Sequence, residues 1–138
     1  MKKYEVHQQI MLNADPMTVW DALTNPEKTK KYFFGCRVFS DWKPGSPITF
    51  KGRMFWIIPI KIRGKIIEAK PGKVLKYELH NKAGSTSIVT DRLTTENGKT
   101  TLSIHDDVGM GEGAEKRYHR SVKGWHKILA GLKEFLKE

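Results

Sequence analysis

The residues of this chain best equipped for chemistry are His105, Asp106 and Asp107, joined later by His119 and His126. Imidazole and carboxylate groups ligate zinc and move protons near neutral pH. Their spacing matches no zinc motif. His119 and His126 lie two helical turns apart, roughly 10 Å along an axis, too far to share one ion unless their side chains converge. They read as solvated or capped histidines, and no metal site is assigned. Gly109-Met110-Gly111-Glu112-Gly113 stands between a strand pattern and a helix pattern, as phosphate-cradling loops do. It lacks both the dinucleotide fingerprint and the Lys-Ser/Thr pair of a P-loop, so it reads as a flexible loop leading into the helix. Cys36 is the sole cysteine, with no second thiol for a disulfide or zinc site and no evident histidine partner. No Gly-x-Ser-x-Gly elbow is present. No catalytic residue and no cofactor are therefore assigned, and a binding function is expected over an enzymatic one.

Charge is the second chemical signal. The formal net charge is +10, and residues 26 to 76 hold 13 Lys and Arg against Glu27, Asp41 and Glu68, while the other segments balance. An excess confined to one stretch attracts acidic protein, nucleic acid or anionic lipid if folding gathers it on one face, and otherwise serves solubility. Lys61, Arg63 and Lys65 alternate along one strand pattern and form the candidate basic partner surface. Nucleic-acid binding would add base stacking on exposed aromatics such as Trp42, but a generic basic face is the simpler account.

The elements that must position these groups follow from periodicity. With 138 residues, 38 % hydrophobic and 29 % charged, the chain has the size and composition of one folding domain spanning residues 1–138. No linker or repeat divides it, and no run of apolar residues is long enough to cross a membrane as a helix. The N-terminal stretch has no apolar signal region, so a cytoplasmic location is expected. Alternating apolar residues predict a strand from Tyr4 to Leu12. Asp15-Pro16 and Asn25-Pro26 each start a short helix, because the side chain accepts orphan amide protons and proline lacks the donor that the first helical position would waste. Further strands are predicted at Ile48 to Trp56, Ile60 to Ala69, Val74 to His80, Ser85 to Thr95 and Thr100 to Val108, with Asn97-Gly98 as a hairpin turn. Tyr118, Val122, Trp125, Leu129, Leu132 and Leu136 form one stripe of a helix running from about Glu112, on the order of 37 Å long.

A strand, two short helices, a run of antiparallel strands and one long terminal helix resemble the START-like, or Bet v 1-like, helix-grip fold of the SRPBCC superfamily: an α+β domain with a curved sheet around its last helix. Within it, Val19-Trp20-Asp21-Ala22-Leu23-Thr24-Asn25-Pro26-Glu27 with Tyr32-Phe33 is similar to the N-terminal signature of the family of activators of the heat-shock-protein-90 ATPase. Asp41-Trp42-Lys43-Pro44-Gly45 before Ile48-Thr49-Phe50, Gly64-Lys65-Ile66-Ile67-Glu68 with Pro71 and Leu75-Lys76-Tyr77, and Gly124-Trp125 with Leu129 and Leu132 extend the resemblance over nearly the whole chain. It implies stimulation of a chaperone partner in the stress response, or binding of a small apolar ligand between helix and sheet. A small cyclase- or hydrolase-type enzyme using that cavity is the alternative.

The candidate pocket would be lined by Trp20, Tyr32, Phe50, Met54, Trp56, Tyr77, Tyr118, Trp125 and Leu129. Aromatic walls with polar tips suit an apolar guest. Ordinary core packing is the competing account, because an empty dry cavity of about 300 Å³ would cost roughly 7 kcal/mol. A pocket here must be small, wet or occupied.

Overall fold

The structure, a computed structural model, describes residues 4–54, 58–80 and 86–137. β1 (Glu5–Leu12) leads into α1 (Pro16–Thr24) and α2 (Pro26–Tyr32), then β2 (Arg37–Ser40), β3 (Pro47–Met54), β4 (Ile58–Lys70), β5 (Val74–His80), β6 (Thr86–Glu96) and β7 (Lys99–Asp107), and the chain ends in α3 (Ala114–Lys137). The sheet is antiparallel with strand order β1-β7-β6-β5-β4-β3-β2. First and last strands are thus neighbours, and the chain must travel from the β1 edge to the β2 edge before the meander begins. The two short helices make that passage.

Their ends are fixed by local chemistry. The Asp15 carboxylate accepts the Thr18 amide at 2.7 Å, and Asn25 accepts the Glu27 amide at 3.0 Å while its own N–H donates to the Asp21 carbonyl, so one residue stops α1 and starts α2. Opposite, Asn97 and Gly98 take φ of 52° and 77°, the two left-handed residues that join Glu96 to Lys99 in a tight hairpin. The strands alternate as predicted: Ile48 and Phe50 point to the concave side and are buried, whereas Lys51 and Arg53 point outward and are exposed.

The concave side holds α3, whose Trp125, Ile128, Leu129 and Leu132 are buried against the sheet. The helix begins at Ala114, two residues after the expected start, because Gly109, Gly111 and Gly113 all adopt positive φ and Arg117 fastens the loop through the carbonyls of Val108 and Glu112. β2 was not anticipated. Only Val38 of its four residues is buried, and it forms because Val38 pairs with Phe50 and its N–H donates to the Thr29 hydroxyl at 3.1 Å. Among the described residues no helix is long and apolar enough to cross a membrane.

Candidate binding cavity and basic face

Between α3 and the sheet lies a cavity of about 20 Å³, walled by Leu23, Tyr32, Phe33, Trp42, Phe50, Tyr77, Asp91, Trp125 and Leu129 with aliphatic neighbours. Five of the expected pocket residues line it: Tyr32, Phe50, Tyr77, Trp125 and Leu129. Trp20 is buried in the surrounding core without reaching the void. Tyr118 is half-buried and packs on Tyr4 at a ring-centroid distance of 6.1 Å. Met54 is the last residue of β3, and Trp56 lies outside the described residues. The volume is that of a single water-sized group, well below the roughly 300 Å³ of ordinary ligand sites.

One wall is not apolar. Asp91 on β6 stands opposite Leu75 and Ile104 and is 3 % exposed, and its Oδ1 has no hydrogen-bond partner among the described residues. Burial, with the negative charge of nearby Asp106 second, pushes its carboxyl up to about 8. Sequence reading missed this residue, although Val89 and Leu93, two positions to either side, face inward and fix its direction.

Asp106 also belongs to the interior, unlike His105 and Asp107. Its Oδ2 accepts the Ser121 hydroxyl at 2.5 Å and the Trp125 indole N–H at 2.9 Å, which ties α3 to β7. Burial raises its pKa and these two donors oppose the rise. Tyr32 donates its hydroxyl to the Ala22 carbonyl at 2.6 Å, and burial drives the Tyr32 and Tyr77 phenols upward. The three groups of the His105-Asp106-Asp107 run are therefore divided by strand alternation. His105 points outward, packs against His7 with tilted rings at a centroid distance of 4.4 Å and meets the Glu5 carboxylate at 3.0 Å. His119 pairs weakly with Glu115 on the exposed side of α3, and His126 is exposed. Among the described residues no three His, Cys, Asp or Glu side chains converge as a metal site. Cys36 is buried, and its thiol pKa is raised.

The cavity's rim is made by its half-buried members Leu23, Phe33 and Trp42. Phe33 stacks on Phe50 at 4.8 Å and meets Trp125 edge-on at 5.9 Å. Trp42 does not stand free for base stacking, as the sequence suggested; its side chain packs against the core, and its backbone N–H donates to the Ser40 hydroxyl at 3.0 Å. One rim residue and the neighbour of another are strained. Trp42 has φ 59° and Phe34, next to Phe33, has φ 51°, a region that bulky side chains rarely occupy.

The convex face carries the charge. Lys61, Arg63 and Lys65 point outward from β4, and the register sets Arg37, Lys51 and Lys61 side by side on three adjacent strands, with Arg53 two residues further along β3. Arg37 pairs with Glu27 at 3.4 Å, whereas Lys51, Arg53, Lys61, Arg63 and Lys65 have no ion pair among the described residues. The acid in register with Lys65 is Glu78, whose carboxylate meets His80 at 3.3 Å.

A curved antiparallel sheet closed around a C-terminal helix, with two short helices after the first strand, is the helix-grip architecture of START-like binding domains. The chain belongs to the family of the Activator of Hsp90 ATPase homolog 1-like proteins, whose model matches residues 13–137. The solution structure of ChR145 from Cytophaga hutchinsonii is similar at 30 % identity and a TM-score of 0.78, covering 99 % of this chain and 97 % of the other. Protein CV1439 from Chromobacterium violaceum shares the fold at 21 % identity and a TM-score of 0.81, covering 97 % and 98 %. MLL2253 from Mesorhizobium loti does so at 20 % and 0.80, covering 96 % of each chain. No curated protein matches the sequence.

Proposed function

We propose that this chain is a non-enzymatic binding domain that holds a small, largely apolar molecule in the cavity beneath α3. One observation carries the reading: among the described residues an otherwise apolar, aromatic-walled void is lined by one carboxyl, Asp91, whose buried Oδ1 has no hydrogen-bond partner. A buried polar group without a partner costs about 1–3 kcal/mol, which packing alone does not explain. The strained rim residue Trp42 supports it, since such backbone clusters at ligand clamps and switches. The void admits only a small head group as it stands, so binding involves outward movement of Phe33 and Trp42.

Titration with the uncharged dye Nile red, together with native mass spectrometry of the intact protein, tests this. Saturable binding is expected, weakened about tenfold or more in Leu23→Trp, which adds bulk at the half-buried rim rather than in the core. If no apolar molecule is bound or bindable, the cavity is ordinary core and the reading fails.

The convex face favours a second reading. Like charges directly opposite one another weaken a sheet, and the row Arg37, Lys51, Lys61 keeps them there. A partner's acidic surface would offset that repulsion. In this reading the partner is a chaperone of the Hsp90 type, docked on Lys61, Arg63 and Lys65.

A further inference from the structure

We propose that the molecule this cavity takes ends in a primary ammonium group, the head seated on Asp91 and the apolar tail leaving between Phe33 and Trp42; this deepens the cavity reading above and rests on it. The void decides the size of the head. At about 20 Å³ it accommodates one water-sized group, which an ammonium matches and a trimethylammonium exceeds. The carboxyl decides its polarity. Asp91 Oδ1 lacks a partner among the described residues, and an ammonium brings three donors and no acceptor.

The walls suit a cation as well. Tyr32, Tyr77, Phe50 and Trp125 turn aromatic surface toward the void, and desolvated cations are attracted to such ring faces. Among the described residues the tail has one way out. Leu23, Phe33 and Trp42 are the cavity members that are not fully buried, and Trp42 is held in a strained backbone conformation at φ 59°. Strain of about 1–3 kcal/mol at Trp42 would be released as that residue swings outward, so opening recovers part of its own cost.

The titratable groups around Asp91 are Asp106 on β7, Tyr77 on β5 and Tyr32 on α2, while α3 offers the cavity only Trp125, Ile128, Leu129 and Leu132. Among the described residues none is a cation that could already satisfy the carboxyl. Since the Asp91 carboxyl holds its proton up to about pH 8, an arriving ammonium displaces that proton. Affinity should therefore rise with pH by up to about tenfold per unit from about pH 6 to pH 8.

The test compares 3-phenylpropylamine with butylbenzene, which replaces the ammonium by a methyl group, by calorimetric titration of the full chain. Stronger binding of the amine at about pH 8 by tenfold or more, with proton release, is expected. Asp91→Asn should remove the preference and the pH slope while butylbenzene binding persists, which also shows that the variant is folded. Equal binding, or tighter binding of butylbenzene, overturns the ammonium assignment and leaves the cavity reading intact. Binding of neither probe overturns both.

Discussion

At the scale of single residues, Asp91 makes a prediction about stability that needs no ligand. Its carboxyl titrates at about 8 in the fold against an ordinary value of 3.8. Between those values the folded chain holds a proton that the unfolded chain has lost, so stability falls as pH rises, by up to about 1.4 kcal/mol per unit. From about pH 5 to pH 7.5 the wild type should lose roughly 3 kcal/mol through this group. Asp106 adds to the slope in the same direction, because its pKa is also raised. Asp91→Asn removes one of the two contributions, and effects of histidine titration or net charge are common to both proteins and cancel. Urea midpoints at the two pH values should converge in the variant relative to wild type; identical slopes would show that Asp91 is solvated. Both carboxyls were within reach of sequence reading, since an aspartate between inward Val89 and Leu93, or between inward Ile104 and Val108, must itself face inward. What periodicity could not supply was the Ser121 and Trp125 donors on Asp106, which come from an element fifteen or more residues away.

At the scale of elements, the same substitution should have opposite signs in two places. Gly64 lies in β4 opposite Leu79, and a Cβ there would sit 1.8 Å from the Glu78 carbonyl oxygen, a backbone atom that cannot move without parting β4 from β5. Gly64→Ala should cost about 3 kcal/mol or more in thermal or urea unfolding. Gly124 lies within α3 with nothing within 4 Å of its would-be Cβ, so Gly124→Ala should stabilise by up to about 1 kcal/mol. A destabilised Gly124→Ala would mean that another surface packs there. Elements written in local chemistry were legible: the caps at Asp15 and Asn25, the Asn97-Gly98 turn and the stripe of α3 need only neighbours a few residues away. β2 was not legible, because four residues with one buried side chain become a strand only when β3 and Thr29 meet them. The full stripe of α3 also includes Ile128, which a strict alternation of threes and fours from Trp125 to Leu129 passes over.

At the scale of the molecule, the question is whether the +10 charge is merely solubilising or shaped for a partner. Alternation alone placed Lys61, Arg63 and Lys65 on one face, but Arg37, Lys51 and Arg53 joined them only through the register of β2, β3 and β4. A solubilising charge gains nothing from cations set directly opposite one another, whereas a docking face does when the partner is acidic. Reversing Lys61, Arg63 and Lys65 to Glu separates these cases. The triple variant should remain folded and stay within about 1 kcal/mol of wild type, since the reversal at Lys61 relieves repulsion from Lys51 while the reversal at Lys65 sets a new carboxylate opposite Glu78, and the three have no ion pair to lose among the described residues. If the face docks on a chaperone of the Hsp90 type, wild type should stimulate that chaperone's ATPase at low salt. Stimulation should weaken toward 0.5 M salt, where the screening length shrinks to roughly 4 Å, and disappear in the variant. Stimulation that survives reversal would show that the contact lies elsewhere on the chain, and a wild type that never stimulates would leave the cavity beneath α3 as the site to which function must be referred.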